Sequence, residues 1–178
     1  MLQKGEKGYN GIGNTRHGLS HHPLYRIWTY MKSRCYNLND TAYYDYGGRG
    51  IAICEEWKDN PEAFVLWGID NGWTKGLNID RIDNDGSYEL SNCRFVTTAI
   101  NNINQRLRKD NSSGYKGVGF HKAGKKRKSG WEARVQFNGK RKTIGSFKTA
   151  KEAAMARNKY ITNASLPHKL CLVSDGGA

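Results

Sequence analysis

Apolar positions first recur with a helical period over Pro23–Arg34. Leu24, Ile27, Trp28 and Met31 stand at i, i+3, i+4 and i+7, which predicts a helix with one apolar stripe. Asn37 to Asp40 reads as a loop. Tyr43, Tyr44 and Tyr46 lead into Gly47-Gly48-Arg49-Gly50, and Ile51 to Cys54 is at most a short strand. A second helical pattern runs from Asn60 to Ile69, with Asn60-Pro61 at its start and Asn71-Gly72 at its end. Trp57, Phe64 and Trp67 are its candidate core residues. From Leu77 to Ile82 the pattern changes to alternation, as a strand requires. Asn84-Asp85-Gly86-Ser87 is a dense turn signal. Cys93 to Val96 predicts a second strand, and Thr97 or Thr98 caps a helix with mostly polar side chains. A strand, loop, strand and helix in about thirty residues is too small to hold its own core. Such a unit leans on a metal, a partner or the rest of the chain.

Lys109 to Gly114 has the composition of a linker. Beyond it, Tyr115–Phe120, Trp131–Phe137 and Arg141–Phe147 alternate in short segments. Asn138-Gly139 is a strong two-residue hairpin turn. Thr149 then caps a helix, with Glu152 in the capping-box position. Ala150, Ala153, Ala154 and Ala156 give that helix a small face able to lie close on a sheet. The expected fold class is α+β. The expected divisions are a flexible arm (1–19), a first domain with N-terminal helices (20–108), a linker (109–114), a three-stranded antiparallel sheet packed on one helix (115–165) and a tail (166–178).

Charge sharpens this picture. The formal net charge of the 178 residues is +13, and its distribution is uneven. Residues 111–160 hold 14 Lys/Arg against 2 Asp/Glu, whereas residues 1–110 hold 14 against 13. One segment carries nearly all the positive field, so a polyanion is the expected partner. The plainer alternative is a basic face kept for solubility. No apolar stretch is long enough for a membrane span, and the N-terminus lacks the apolar core of a signal peptide. No membrane partner and an intracellular location are expected, the bacterial cytoplasm if the chain is phage-encoded. The four cysteines contain no CxxC pair, so thiols or metal ligands are expected rather than disulfides.

Two constellations carry candidate chemistry. In the basic sheet, alternation sends Lys116, Arg134, Gln136, Arg141 and Thr143 to one face, while Val118, Val135 and Ile144 turn to the helix. A sheet with one packed and one basic face fits a DNA major groove, where Arg and Gln read base edges and Lys meets phosphates. Lys122 and the Lys125–Lys128 run add attraction to phosphates. Paired glycines beside Arg49 suit close backbone approach, either to a phosphate or to another element. In the central stretch, Asp80, Asp83, Asn92 and Asn101 form a convergent polar set. Asp80 and Asn101 are hard oxygen donors for one Mg²⁺ or Mn²⁺, and Asn92 braces the loop. The alternative is an ordinary salt-bridged turn. Cys35, Cys54 and Cys93, with or without His22, are candidate ligands of a structural Zn²⁺, and buried thiols are the other reading.

Both constellations carry a resemblance. Tyr115-Lys-Gly-Val118, Gly130-Trp-Glu-Ala-Arg134, Ile144-Gly-Ser-Phe147 and Thr149-Ala-Lys-Glu-Ala-Ala154 resemble the plant ethylene-response-factor DNA-binding domain over residues 111–165. The resemblance implies a sheet in the major groove, with groove-facing positions at Lys116, Gly119, Trp131, Arg134, Arg141 and Thr143. Gly119 and Thr143 depart from that family's larger residues, so base specificity does not transfer. Asp80-Arg-Ile-Asp-Asn84, Tyr88, Asn92-Cys-Arg94, Thr97 and Asn101 resemble a variant of the HNH nucleases, which have a ββα-metal fold. His22-Pro-Leu-Tyr25, Trp28, Met31, Arg34-Cys-Tyr-Asn37, Tyr46-Gly-Gly-Arg-Gly-Ile51 and Cys54 extend that likeness over residues 20–108.

Together the resemblances imply a metal-dependent homing-type endonuclease acting on double-stranded DNA. Its implied site residues are Asp80, Arg81, Asp83, Asn92, Asn101 and His22. With the residues that alternation, charge and the glycine-rich turn single out, the expected DNA contacts are Arg49, Lys116, Lys122, Trp131, Arg134, Gln136, Arg141 and Thr143. Arg81 stands where the family has His as general base. A guanidinium holds its proton at neutral pH, so Arg81 suits a phosphate clamp. The base is left open between His22 and a metal-bound water. The alternative is a DNA-binding protein with a degenerate, inactive nuclease domain.

Overall fold

The structure, a computed structural model, describes residues 18–124 and 128–173. The 1–19 arm therefore lies almost wholly outside the described residues, as do three of the four residues of the Lys125–Lys128 run. The fold is α+β. The described residues divide into two compact units, one ending at Thr97 and the other beginning at Thr98.

The first unit begins with α1 (Pro23–Tyr36), capped by His22 and with Pro23 in its first turn. Leu24, Trp28, Met31 and Cys35 form its buried stripe, at i, i+4, i+7 and i+11. Two short 3₁₀ turns (Tyr43–Asp45 and Gly47–Arg49) follow. They lead to α2 (Glu55–Lys58) and α3 (Pro61–Asp70). The core joins the α1 stripe to Ile51, Ile53, Trp57, Phe64, Val65, Tyr88 and Cys93. Each fully buried large side chain contributes about 1.5–3 kcal/mol. Trp57 is central, with its ring 4.5 Å from that of Trp67 and 5.3 Å from that of Phe64. Trp28 takes the polar bond an indole needs, donating from Nε1 to the Trp57 carbonyl at 2.5 Å. Gly68 lets α3 close on α1, since a Cβ there would lie 2.7 Å from Leu24 Cδ1.

The unit ends in an antiparallel hairpin of β1 (Asn78–Arg81) and β2 (Cys93–Val96). β1 is shorter than its apolar alternation predicted, because Ile82 already enters the turn. Ile53 contributes one isolated parallel bridge to Tyr88 rather than a strand.

The second unit opens with α4 (Thr98–Asn104). Three antiparallel strands follow in the order β3 (Val118–His121), β4 (Gly130–Phe137) and β5 (Lys140–Phe147). Asn138 and Gly139, at φ 48° and 74°, make the turn between β4 and β5. Positive φ at both positions is what a type I′ turn demands. α5 (Ala150–Asn163) starts with a full capping box between Thr149 and Glu152. Its Ala153 and Ala154 pack on Val118 and Ala133.

Candidate active site and nucleic-acid interface

The β1–β2 hairpin positions the central polar residues. Asp80 lies opposite Arg94 in the register. Arg94 donates from Nε to Asp80 Oδ2 at 2.9 Å, and its Nη2 lies at the same distance. The Asp80 side chain is 4% exposed and that of Arg94 42%, so the carboxylate is buried and the pair opens outward through the arginine. The alternative of a salt-bridged element thus has a concrete partner, which strand register sets and residue spacing does not reveal.

Arg81 is also buried. It donates from Nη2 to the Asn84 carbonyl at 3.0 Å. Its guanidinium lies 4.9 Å from the Tyr46 ring centroid and 4.8 Å from that of Tyr88. Arg34 lies over the same two rings, at 4.7 and 5.3 Å. Two guanidiniums thus share a stacked tyrosine pair, and each such contact contributes about 1 kcal/mol. In this arrangement Arg81 holds the hairpin to the core.

Asn92 braces the intervening loop. Its Nδ2 donates to the carbonyls of Asp83 (3.1 Å) and Ser87 (2.9 Å), and its Oδ1 accepts from the Asp83 amide (2.8 Å). Gly86 makes room for it, since a Cβ there would sit 2.7 Å from Asn92 Nδ2. Asp83 is exposed, and its Oδ1 accepts from the Asp85 amide in a local turn.

Arg49 ion-pairs with Asp85 and donates to the Asp45 carbonyl at 2.9 Å. The glycines before it serve another element: a Cβ on Gly47 would lie 2.0 Å from the Cys35 carbonyl oxygen. His22 accepts from the Leu24 amide through Nδ1 at 3.2 Å and lies against Trp73. This geometry assigns His22 to helix capping.

Asn101 is half-buried on α4, and Asn104, one turn further on, is buried. Asp80 and Asn101 belong to different compact units. Their carboxylate and amide oxygens are of the kind Mg²⁺ or Mn²⁺ accepts. Among the described residues, no group of three or more His, Cys, Asp or Glu side chains is placed to hold a metal. Cys35 and Cys93 are buried in the core of the first unit, and Cys54 is half-buried against it. Burial pushes the Cys35 and Cys54 thiols up to about 11 and Cys93 to about 12.

On the sheet, residues 132, 134 and 136 of β4 alternate away from Ala133 and Val135, and their β5 partners are Ser146, Thr143 and Arg141. Arg134, Gln136, Arg141 and Thr143 therefore share the face opposite α5. Gln136, Arg141 and Thr143 are exposed there, as is Lys122 just past β3. Glu132 lies on the same face and pairs with Arg134 at 2.7 Å. Two sequence-selected residues stand elsewhere. Trp131 packs against the helix-side cluster because it has the parity of Ala133 on β4. Lys116 donates from Nζ to the Ile103 carbonyl at 2.7 Å and to that of Gln105, closing the end of α4. Burial, with Arg157 and Lys169 nearby, lowers its pKa.

No family model, curated protein or solved structure matches this chain. Among the described residues, no helix is long and apolar enough to cross a membrane.

Proposed function

We propose that this chain binds duplex DNA through the face of its three-stranded sheet opposite α5 and hydrolyses a phosphodiester with the β1–β2 hairpin of its first unit, as a homing-type endonuclease. The observation that carries the reading is the shared exposed face of Gln136, Arg141 and Thr143, with Arg134 beside them. Arg and Gln present the donor and acceptor patterns that base edges match. The concentration of cationic residues in 111–160 supplies long-range attraction to phosphates.

For the hydrolytic step, Asp80 is the hairpin residue that would bind a divalent cation. Such an ion would polarise the phosphoryl oxygens and activate water. The chain's own contribution is positional. Asn92 keeps the loop after β1 in one shape, Arg34 and Arg81 tie the hairpin to the core, and Arg94 orients the Asp80 carboxylate.

A second reading is a DNA-binding protein whose nuclease segment no longer cuts. The Asp80–Arg94 pair favours it, because the carboxylate is buried and already engaged. A pooled library of duplexes incubated with the protein and Mg²⁺, with and without EDTA, separates the two. The endonuclease reading predicts EDTA-sensitive cleavage that Asp80→Asn reduces at least 100-fold while duplex affinity stays within threefold. Binding without cleavage under any divalent cation would leave only the second reading.

A further inference from the structure

The second unit contains a cavity of about 470 Å³ that shares Arg134, Gln136 and Arg141 with the proposed DNA-binding face and continues past it to Lys116, Arg157 and His168. Its charged lining consists of Lys116, Arg134, Arg141, Arg157 and His168, and among the described residues no Asp or Glu lines it. The volume falls within the range of small-molecule pockets, roughly 300–1,000 Å³.

Arg157 makes this cavity unusual. It projects from α5 and is 2% exposed. Among the described residues its Nη1 reaches the Lys169 carbonyl at 3.4 Å and Cys171 Sγ at 3.6 Å. Its Nε is buried without a hydrogen-bond partner among the described residues. Gly117 closes on it from the other side: its φ is 74°, and a Cβ there would lie 2.6 Å from that Nε. His168 lies at the same cavity. Its Nε2 is 3.1 Å from the Gln136 carbonyl, so that nitrogen donates, while its Nδ1 is buried without a partner.

Buried polar atoms are ordinarily satisfied, and a buried guanidinium lacking an anionic partner is costly. Burial already works against these cations. It lowers the pKa of Lys116, Arg157 and His168, and mutual repulsion adds to the effect at Lys116 and His168. The missing element is a polyvalent acceptor.

We infer that this cavity is an anion site that takes a phosphate group, with Arg157 as its buried anchor and half-buried His168 beside it. A tetrahedral oxyanion offers several acceptors to groups arriving from α5, β4, β5 and the segment after α5, and its charge suits several basic side chains better than one carboxylate does. The cavity is larger than a lone phosphate needs. The occupant is therefore the phosphate of a small phosphorylated molecule of nucleotide size or a phosphate of the DNA backbone. The site does not depend on the endonuclease reading.

The test follows the Arg157 Nε–H and His168 ring resonances of the full-length protein by NMR at constant ionic strength. Inorganic phosphate, a nucleoside 5′-monophosphate and a short duplex are titrated separately, with chloride as control. Saturable shifts with phosphate or the monophosphate are expected, weakened at least tenfold in Arg157→Met. His168→Gln serves as the second variant. It should keep the wild-type circular dichroism spectrum and weaken binding severalfold, and it decides the matter if Arg157→Met does not fold. A duplex that moves the same resonances and competes with phosphate identifies the backbone as the source. A duplex that binds without moving them identifies a small molecule. Shifts that chloride reproduces, or that never saturate, overturn the proposal as an adventitious charge effect. Duplex affinity measured in parallel keeps that failure distinct from failure of DNA binding.

Discussion

A single amide sets the loop between β1 and β2. Asn92 makes three hydrogen bonds to backbone groups of that loop while 8% exposed. Asn92→Ala would strand those groups, and a loss of about 2–4 kcal/mol in chemical denaturation is expected. A loss below about 0.5 kcal/mol would mean that the loop stands without it. Asp40 supports a pH prediction. The Ser33 hydroxyl and the Ala42 amide donate to its carboxylate and lower its pKa from the ordinary 3.8. A depressed carboxylate pKa adds stability above the unfolded value, and that stability is lost as pH falls through the folded one. Ser33→Ala should therefore raise the Asp40 pKa toward 3.8 in an NMR titration, and an unmoved pKa would remove Ser33 as the cause.

At this scale the sequence was least legible. Asp80, Arg81 and Asn92 stood out as polar residues clustered around a turn. Their partners did not, because Arg94 meets Asp80 only through strand register, and Tyr46 meets Arg81 only through the tertiary fold. Arg157 gave no signal, since an arginine among alanines on a helix reads as exposed.

At the scale of elements, short-range chemistry was enough. The stripe on α1, the Asn138-Gly139 turn and the Thr149–Glu152 capping box are written in adjacent residues. Thr149→Ala should cost about 1 kcal/mol and loosen the first turn of α5. Amide exchange would read this as faster exchange at Glu152, whose N–H the threonine hydroxyl accepts, and unchanged exchange there would contradict the role of the cap. α2, four residues long, and the two 3₁₀ turns escaped the pattern because they are too short to show a period. Trp131 shows the limit of alternation. Strand parity alone puts it with Ala133, and the resemblance to groove-reading sheets had assigned it outward.

For the whole molecule, charge segregation is the feature with the widest consequence. A near-neutral first stretch precedes a strongly cationic one, and the cationic stretch folds as a sheet with α5 on one face and exposed Gln136, Arg141 and Thr143 on the other. Fold class and the three-stranded sheet could be read from local patterns, whereas the cationic cavity could not. It depends on β4, Gly117, Arg157 and His168 converging from four parts of the chain.

The most direct measurement is duplex affinity as a function of salt for the wild type and for Arg141→Ala, which changes an exposed residue on the proposed DNA face. The wild type should show log K falling linearly with log salt with a slope of several units, as release of counterions from several phosphates requires. Arg141→Ala should bind at least fivefold more weakly at physiological salt, roughly 1 kcal/mol. A wild-type affinity indifferent to salt, or an Arg141→Ala curve superimposable on it, would contradict binding through this face.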